Sequence, residues 1–257
     1  MKYLLILLMA IPLPVAGYQY VMHRRAAFAV PDYTQDANCI AAYYFNGIGS
    51  GSETDRSTNG YDLTANGTIS SSSSKPDGYE GVSRNLESAN SEYFENTSFD
   101  IVGADQEISV ACWVRYVTTN TSMVLCSQYL ATGDQKSWRL VNNSSEETVF
   151  ALSDDGLATT DVRATTSFPT NQWNHLAVTY DDIQMILYTN AVPLVTNAYT
   201  GGIFDSTANF KVGANNNVST YLNGRIDELI VFDRAITAAE VLNIYTYGVD
   251  GANGGND

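Results

Sequence analysis

Short segments of the chain alternate between apolar and polar residues, or run apolar with β-branched side chains. The clearest strand signal is 173–180, and similar patterns occur at 108–114, 148–152 and 225–232. Because successive side chains of a strand point to opposite faces, this period predicts half-buried β-strands. Turn-forming residues such as those at 154–156 separate the segments. The pattern therefore predicts an all-β chain whose antiparallel strands form a sandwich or barrel.

One helical signal follows the last predicted strand. Thr237 and Glu240 have the spacing of a Thr-x-x-Glu capping box, and Val241 and Ile244 recur at helical spacing behind it. Gly248 then supplies a stop signal. The sequence therefore predicts one short C-terminal helix, in a chain with almost no other helical pattern.

Length and charge narrow the class of protein. The 257 residues fit one large all-β domain or two small ones, and we find no internal repeat or sign of a second domain. Lys and Arg number 13 against 28 Asp and Glu, for a net charge of −15. Such a chain repels polyanions, so we predict that it binds no nucleic acid.

The N-terminus has the pattern of an export signal. Lys2 precedes an apolar run at 4–11, and small residues suited to cleavage occur at 15–17 and again at 27–29. We therefore predict a signal peptide at 1–17, or extending to 29, and a protein that is secreted or displayed at the cell surface.

The alternative is that the leader remains uncleaved. The span from Tyr3 to Met22 is long enough to cross a bilayer, which would make the leader the only contact with a membrane. Arg24 and Arg25 would then tend to stay in the cytoplasm and leave the acidic domain inside, so cleavage is favoured.

The rest of the chain divides into three predicted parts. Residues 18–38 form a linker or N-terminal arm, 39–247 form the β-sandwich, and 248–257 form a flexible tail rich in Gly, Asn and Asp. Within the sandwich, the serine run 70–74 is predicted to be a surface loop.

The three cysteines exclude a full set of intramolecular disulfides. Cys112 and Cys126 are expected on neighbouring strands, where they either pair or remain small buried hydrophobes, and Cys39 is left over. There is no Cys-x-x-Cys pair, and His175 is the only histidine after residue 29, so a Cys/His zinc site is not expected.

An ordered series of motifs resembles a known family. The series consists of Ala42-Tyr43-Tyr44-Phe45, Asp55-Arg56-Ser57-Thr58-Asn59-Gly60, Ser91-Glu92-Tyr93-Phe94, the strands 108–114 and 173–181, Phe210-Lys211-Val212-Gly213 and 223–235. It is similar to the laminin-G-like domain of the concanavalin A-like lectin/glucanase superfamily, over about 39–247. The resemblance implies an antiparallel jelly-roll sandwich. It does not imply a ligand, because this fold carries many functions.

One motif departs from the family pattern. The family often has Asn-Gly in a tight hairpin turn where this chain has Asn190-Ala191. We therefore expect a wider turn, or a turn of another type, at this position.

A glycosidase is disfavoured by the placement of acidic residues. Glucanases of this fold carry carboxylates at alternate positions of one strand, so that two of them flank one glycosidic bond. Here Asp227 and Glu228 are adjacent, which is expected to point them to opposite faces. We therefore predict that the protein is not an enzyme.

The resemblance also suggests a structural calcium ion. The loop 55–62 offers oxygen ligands from Asp55, Asn59 and Asp62, and in several relatives the strand that carries Ile-Asp-Glu would add Asp227. The alternative is that these residues only shape turns.

Aromatic residues are the candidate glycan contacts. Trp113 and Trp173 fall within strand patterns typical of a core, so Tyr129, Trp138 and Tyr221 are the predicted ligand-binding residues.

Together these features favour an extracellular, non-catalytic recognition module that binds a glycan or a surface protein. The alternative is a structural subunit of a filament, surface layer or particle coat, which would require self-association. A glycosidase is the third hypothesis.

Overall fold

Two antiparallel β-sheets packed face to face make up the fold. The computed structural model describes residues 30–47, 51–101, 106–217 and 219–252, so the predicted signal peptide lies outside the described residues. Among the described residues, no helix is long and apolar enough to cross a membrane.

The described strands are short and numerous, as the sequence predicts. Their bounds are β1 Cys39–Tyr43, β2 Thr64–Asn66, β3 Ser70–Ser72, β4 Ser83–Leu86, β5 Tyr93–Asn96, β6 Ile108–Tyr116, β7 Met123–Leu130, β8 Gln135–Asn142, β9 Glu147–Leu152, β10 Thr160–Thr165, β11 Trp173–Tyr180, β12 Gln184–Thr189, β13 Val192–Ala198, β14 Phe210–Val212 and β15 Gly224–Phe232. The helix α1 spans Ala238–Tyr247, and single 3-10 turns occur at Tyr33–Gln35 and Ser88–Asn90.

The strand order defines the sandwich. One sheet has the order β13-β12-β11-β6-β15-β4-β3, with β1 also paired to β15, and we call it the eight-stranded sheet. The other, the seven-stranded sheet, has the order β10-β9-β8-β7-β14-β5-β2. The predicted all-β antiparallel sandwich with one short C-terminal helix is therefore confirmed.

The main core lies between the two sheets. Along β6, Val110, Cys112 and Val114 point into this core, whereas Ala111 points to the outer face of the sheet. This is the period of two that the sequence shows. The eight-stranded sheet is therefore apolar on both faces and needs a second cover.

Helix α1 and the two ends of the described chain provide that cover. Val241 and Ile244 pack on the outer face of the eight-stranded sheet, in a second apolar cluster that also contains Tyr33 and Val249. The Tyr33 N–H donates to the Val249 carbonyl at 2.9 Å. Packing thus extends beyond the predicted sandwich limits of 39 and 247 at both ends.

The predicted cap of α1 is confirmed. Thr237 Oγ1 accepts a hydrogen bond from the Glu240 N–H at 3.3 Å, and Glu240 Oε2 accepts one from the Thr237 N–H at 2.7 Å. Arg234 bridges Glu240 and Asp36, which ties the start of the helix to the segment before β1. The chain leaves the helix at Gly248, whose positive φ of 77° suits glycine.

Two local predictions are wrong. Cys112 on β6 and Cys126 on β7 lie in opposite sheets rather than on neighbouring strands, and both thiols are free and buried. Burial raises the pKa of Cys112 to about 12, so its thiol stays protonated. The serine run is not simply a loop, because Ser70–Ser72 forms β3 and pairs with β4 at the sheet edge.

The β12–β13 turn also differs from the prediction. Thr189 pairs directly with Val192, so the hairpin loop has only two residues, Asn190 and Ala191. Both have positive φ, 48° and 64°, as a type I′ turn requires. Contacts with β11 hold this turn, because Asn190 donates its N–H to the His175 carbonyl at 2.8 Å and accepts the His175 N–H on Oδ1 at 2.9 Å.

Replacing Ala191 by glycine is expected to stabilise the protein. The left-handed conformation costs a non-glycine residue about 1–2 kcal/mol, and glycine avoids this cost. Part of the resulting stabilisation is lost, because glycine has more conformational entropy in the unfolded state. We expect Ala191→Gly to raise the free energy of unfolding by about 0.5–1 kcal/mol, measured by urea denaturation. An unchanged or lower value would contradict the strained turn.

Candidate functional site: an aromatic pocket beside the helix

A pocket of about 620 Å³ opens on the outer face of the eight-stranded sheet, beside the end of α1. We call it the aromatic pocket. Its aromatic lining is Tyr79, Trp113, Trp173 and Tyr245, and its polar lining is Asp77, Asn171, Gln172, Asn190 and Thr246. A cavity of this size suits a small ligand such as an oligosaccharide.

Strand register brings the two tryptophans to this face. On β11, His175 pairs with Trp113 of β6, and Trp173 pairs with Arg115. Residues 111, 113 and 115 alternate with the inward residues of β6, so Trp113 points outward, and Trp173 and His175 do the same. The expectation that Trp113 and Trp173 belong to the sandwich core is therefore wrong.

The aromatic rings support one another. Trp113 stacks on Tyr245 with ring centroids 5.3 Å apart, and Tyr79 meets Trp113 edge-on at 5.5 Å. The Tyr79 hydroxyl lies 3.0 Å from the carbonyl oxygens of both Ile244 and Tyr245, where it satisfies the end of the helix. Because the rings of Tyr79, Trp113 and Tyr245 hold one another, this part of the wall is preorganised.

His175 supports the wall from below. It is fully buried, and its ring lies 5.3 Å from that of Trp113 and 5.6 Å from that of Tyr245. Burial lowers the pKa of His175 to about 3, so the imidazole is neutral at ordinary pH. Neither ring nitrogen has a hydrogen-bond partner among the described residues, which fits a packing role rather than that of a base.

The rim of the pocket is polar and exposed. Asn171, Gln172 and Asn190 are all exposed at its mouth. Amide side chains both donate and accept hydrogen bonds, which suits the hydroxyl groups of a sugar. The pocket therefore combines apolar ring faces with groups that can orient a hydroxylated ligand.

A bulge on β15 changes the placement of the two adjacent acids. Ile226 and Leu229 both point into the main core, so the strand carries two residues, Asp227 and Glu228, where regular alternation has one. Glu228 has a φ of 51°, which breaks the alternation. Both carboxyls thus lie on the helix-covered side of the sheet, and the expectation of opposite faces is wrong.

These two acids are buried rather than available to a substrate. Each is 2% exposed, and neither lines the aromatic pocket. Burial and the neighbouring Glu228 carboxyl raise the pKa of Asp227, and burial raises that of Glu228 to about 8. Glu228 Oε2 accepts the Val249 N–H at 2.9 Å, so it anchors the segment that follows α1.

The predicted calcium loop uses its oxygen atoms within the protein. Asp55 Oδ1 accepts N–H groups from Ala42 and Ser57, and Oδ2 accepts the Tyr61 N–H and the Ser57 hydroxyl, all at 2.7–2.9 Å. Asp62 Oδ1 accepts the Asp55 N–H at 2.8 Å. Such contacts are typical of turn-shaping aspartates.

The remaining predicted ligands do not complete a calcium shell. Asn59 approaches β1 with its amide nitrogen, 3.0 Å from the carbonyls of Cys39 and Ile40, and Asp227 accepts the neighbouring Glu228 N–H. Within the described ranges, no three His, Cys, Asp or Glu side chains are arranged to hold a metal ion. Because these groups already bond within the chain, the donor set does not fit the ion as it is arranged, and the calcium prediction is left to experiment.

A chelator tests that prediction directly. We expect EDTA to leave the melting temperature of the purified protein unchanged, because hydrogen bonds within the chain already satisfy Asp55 and Asp62. A calcium ion at 100 times its dissociation constant would add about 2.7 kcal/mol, several degrees in a domain of this size. A rise of several degrees in the melting temperature on adding calcium to the EDTA-treated protein would show that the protein binds calcium.

The predicted glycan contacts lie elsewhere. Trp138 is 0% exposed and packs between Phe99 and Phe210 in the main core, so its prediction as a ligand contact is wrong. The alternation of side chains along β8 points Trp138 inward, as it does Leu140. Tyr129 is buried under the Arg139 side chain, and Tyr221 is half-buried. None of the three lines the aromatic pocket.

The fold places the chain among the concanavalin A-like β-sandwich domains. The family model Laminin_G_3 matches residues 88–242, more than half of the chain. The chain therefore belongs to this family of the concanavalin A-like lectin/glucanases superfamily. A comparison with curated proteins gave no match.

Solved structures agree with this fold. Domain 4 of the GH43 extracellular arabinanase AbnA from Geobacillus stearothermophilus, in complex with arabinotriose, matches with a TM-score of 0.63 and 21% identity, over 81% of this chain and 98% of that one. The receptor-binding domain of botulinum neurotoxin type G matches with a TM-score of 0.60 and 17% identity, over 81% of this chain and 51% of that one. The binding domain of botulinum neurotoxin DC in complex with rat synaptotagmin II matches with a TM-score of 0.62 and 14% identity, over 81% of this chain and 51% of that one. This chain thus spans about half the length of the neurotoxin domains, and these likenesses concern the fold alone.

Proposed function

We propose that the protein is an extracellular, non-catalytic recognition module that binds glycans in the aromatic pocket. One observation carries the proposal. Four aromatic residues and a rim of exposed amides line one pocket of about 620 Å³ on a rigid sheet face. Ring faces bind the apolar side of a sugar, and amides bind its hydroxyl groups.

The known relatives support this proposal in general terms. The arabinanase domain was solved with arabinotriose, and one neurotoxin binding domain with the protein rat synaptotagmin II. Both a glycan and a surface protein are therefore reasonable partners for the fold. The pocket favours the glycan, because its polar rim consists mainly of neutral amides.

Absence of catalysis and the extracellular location also belong to the proposal. Paired carboxylates that flank a glycosidic bond must be open to substrate, and Asp227 and Glu228 are buried below the helix. The apolar leader at 4–11 supports export. Incubation with the oligosaccharides that bind should therefore release no shorter product.

Trp173→Ala is the test of the pocket. We expect the protein to bind at least one neutral oligosaccharide from an array, with arabinotriose included as a probe. Truncating the half-buried Trp173 ring should weaken that binding about tenfold or more, because it removes one wall of the pocket. Isothermal titration calorimetry on mature protein measures the change.

A second variant controls for general effects of removing an aromatic ring. Tyr247 lies in the last turn of α1, is 41% exposed and does not line the pocket, so Tyr247→Ala should bind as the wild type does. The proposal fails if the wild type binds no neutral glycan. It also fails if Trp173→Ala, folded by circular dichroism, keeps full affinity.

The structural-subunit hypothesis has one observation in its favour. Strand β13 is the edge of the eight-stranded sheet, and its Val192 and Leu194 are 63% and 45% exposed. Exposed apolar edges favour pairing with another chain, although Pro193 opposes it. Self-association at high protein concentration, measured by size-exclusion chromatography with light scattering, supports this alternative.

A further inference from the structure

A second concave site lies on the other sheet. A groove of about 260 Å³ opens on the outer face of the seven-stranded sheet. We call it the arginine groove, and its lining includes Arg139, Val141, Val149, Asp161, Arg163 and Asn215. It shares no lining residue with the aromatic pocket.

The pairing of β8 with its neighbours shapes this groove. Trp138 and Leu140 point into the main core, so Arg139 and Val141 point outward. In register, Arg139 lies between Ala151 of β9 and Ser127 of β7, two small residues. The long arginine side chain therefore stands beside a low floor.

Arg139 has no polar partner among the described residues. Its guanidinium lies over the Tyr129 ring, 4.5 Å from the ring centre, and its Nε is buried without a hydrogen bond. The Tyr129 ring fixes the position of this half-buried guanidinium. The terminal nitrogens of Arg139 bind no carboxylate of the described chain.

The neighbouring cations differ from Arg139 in this respect. Arg163 on β10 pairs with Asp161, and Lys211 on β14 pairs with Glu95 at 3.2 Å. Of these three cations, Arg139 alone has no carboxylate partner among the described residues. An arginine fork matches the two oxygens of a carboxylate, so an anionic ligand fits here.

The surroundings select one class of anion. The negative chain repels polyanions such as heavily sulfated chains, and one unpaired guanidinium neutralises a single charge. Val141 and Val149 give an apolar floor for a ring, and Asn215 gives a donor and acceptor for hydroxyl groups. We infer that the arginine groove binds a sugar acid, whose carboxylate is held by the terminal nitrogens of Arg139. This site and ligand class are separate from the proposed neutral-glycan site.

Titration with two sugar acids tests the inference. Trigalacturonic acid carries a uronic acid and 3′-sialyllactose a sialic acid, and lactose and a neutral trisaccharide serve as uncharged comparisons. We expect saturable binding of at least one acid, weakened by added salt. Arg139→Gln should weaken it about 10- to 100-fold, and Arg139→Lys, which keeps the charge but not the fork, should lose less.

A control on the same strand separates local contact from net charge. Lys136 lies three residues from Arg139, does not line the groove, and donates to the Leu157 carbonyl. Lys136→Gln removes the same charge and should change sugar-acid affinity less than about twofold. Trp173→Ala tests the other pocket, so loss of neutral-glycan binding there is distinguishable from loss of sugar-acid binding here.

Nuclear magnetic resonance on the wild type keeps the inference falsifiable even if an Arg139 variant does not fold. Backbone resonances of residues 139–141 and 149–151 should shift on addition of the acid that binds, and those around Trp173 should not. Absence of binding by both acids overturns the inference. So does binding with unchanged affinity in folded Arg139→Gln, or with shifts confined to the aromatic pocket.

Discussion

Replacing Trp138 by alanine is expected to lower the free energy of unfolding by about 3–5 kcal/mol. The indole is fully buried, with ring centroids 5.7 Å from Phe210 and 6.5 Å from Phe99, so its removal leaves a large cavity between the two sheets. Close-packed interiors relax only in part around such a void. Urea denaturation followed by circular dichroism measures the loss as a lower midpoint.

A comparison with Trp173 separates the two kinds of tryptophan. Trp173 is only half-buried at the aromatic pocket, so Trp173→Ala should cost clearly less stability than Trp138→Ala. Conversely, the folded fraction of Trp138→Ala should retain glycan affinity. If the two variants lost equal stability, or if Trp138→Ala lost ligand at full stability, the core placement of Trp138 would be wrong.

The strands that sequence patterns predict well are those with a buried face. Residues 173–180 coincide with β11, and the alternation at 225–232 falls within β15, because burial forces apolar residues onto one face. Strand β13 has no such signal, since nearly all of its residues are exposed at the sheet edge. The short serine strand β3 has no apolar residue at all.

The site was harder to predict because it depends on which face of each sheet is covered. Parity along β6 places Trp113 opposite to the core residues Val110, Cys112 and Val114, and that signal was available in the sequence. The sequence still predicts a core position for Trp113, because both faces of this sheet are covered and the pattern does not distinguish them. The pocket also joins 77–79, 171–173 and 245–246, whose proximity only the folded topology creates.

The bulge at Asp227 and Glu228 explains why the predicted orientation of these two side chains is wrong. A period of two predicts that adjacent residues point to opposite faces. The extra residue of the bulge instead places both side chains on the same side of the sheet. No turn residue marks the bulge, because Glu228 itself takes the positive φ of 51°. The acid pair belongs to the motif at 223–235, but that pattern gives no sign of its burial, which has a strong consequence for stability.

The acid pair is expected to lower the stability of the fold progressively as the pH rises from about 4.5 to 8. Burial raises the pKa of Glu228 from 4.5 to about 8, and that of Asp227 rises as well. A carboxyl whose pKa is higher in the folded state binds its proton more tightly there. Its contribution is fully present below the unfolded pKa of 4.5 and is lost as the pH rises through 8.

Glu228→Gln should remove most of this dependence. Glutamine keeps an oxygen that can accept the Val249 N–H, but it has no proton to lose. Each pH unit below the folded pKa corresponds to about 1.4 kcal/mol per proton, so between pH 6.5 and 8 the variant should gain about 2 kcal/mol relative to the wild type. Urea denaturation at both pH values measures the difference.

The comparison with wild type isolates Glu228 from the other titrating groups. Burial lowers the pKa of His175 to about 3, which reduces stability as the pH falls below 6.5, but this contribution is common to both proteins. Glu80 is exposed, so Glu80→Gln should follow the wild type at every pH. Parallel pH profiles for wild type and Glu228→Gln would mean that Glu228 is ionised in the fold. The carboxylate would then need a positively charged partner, because a buried charge without one is strongly destabilising.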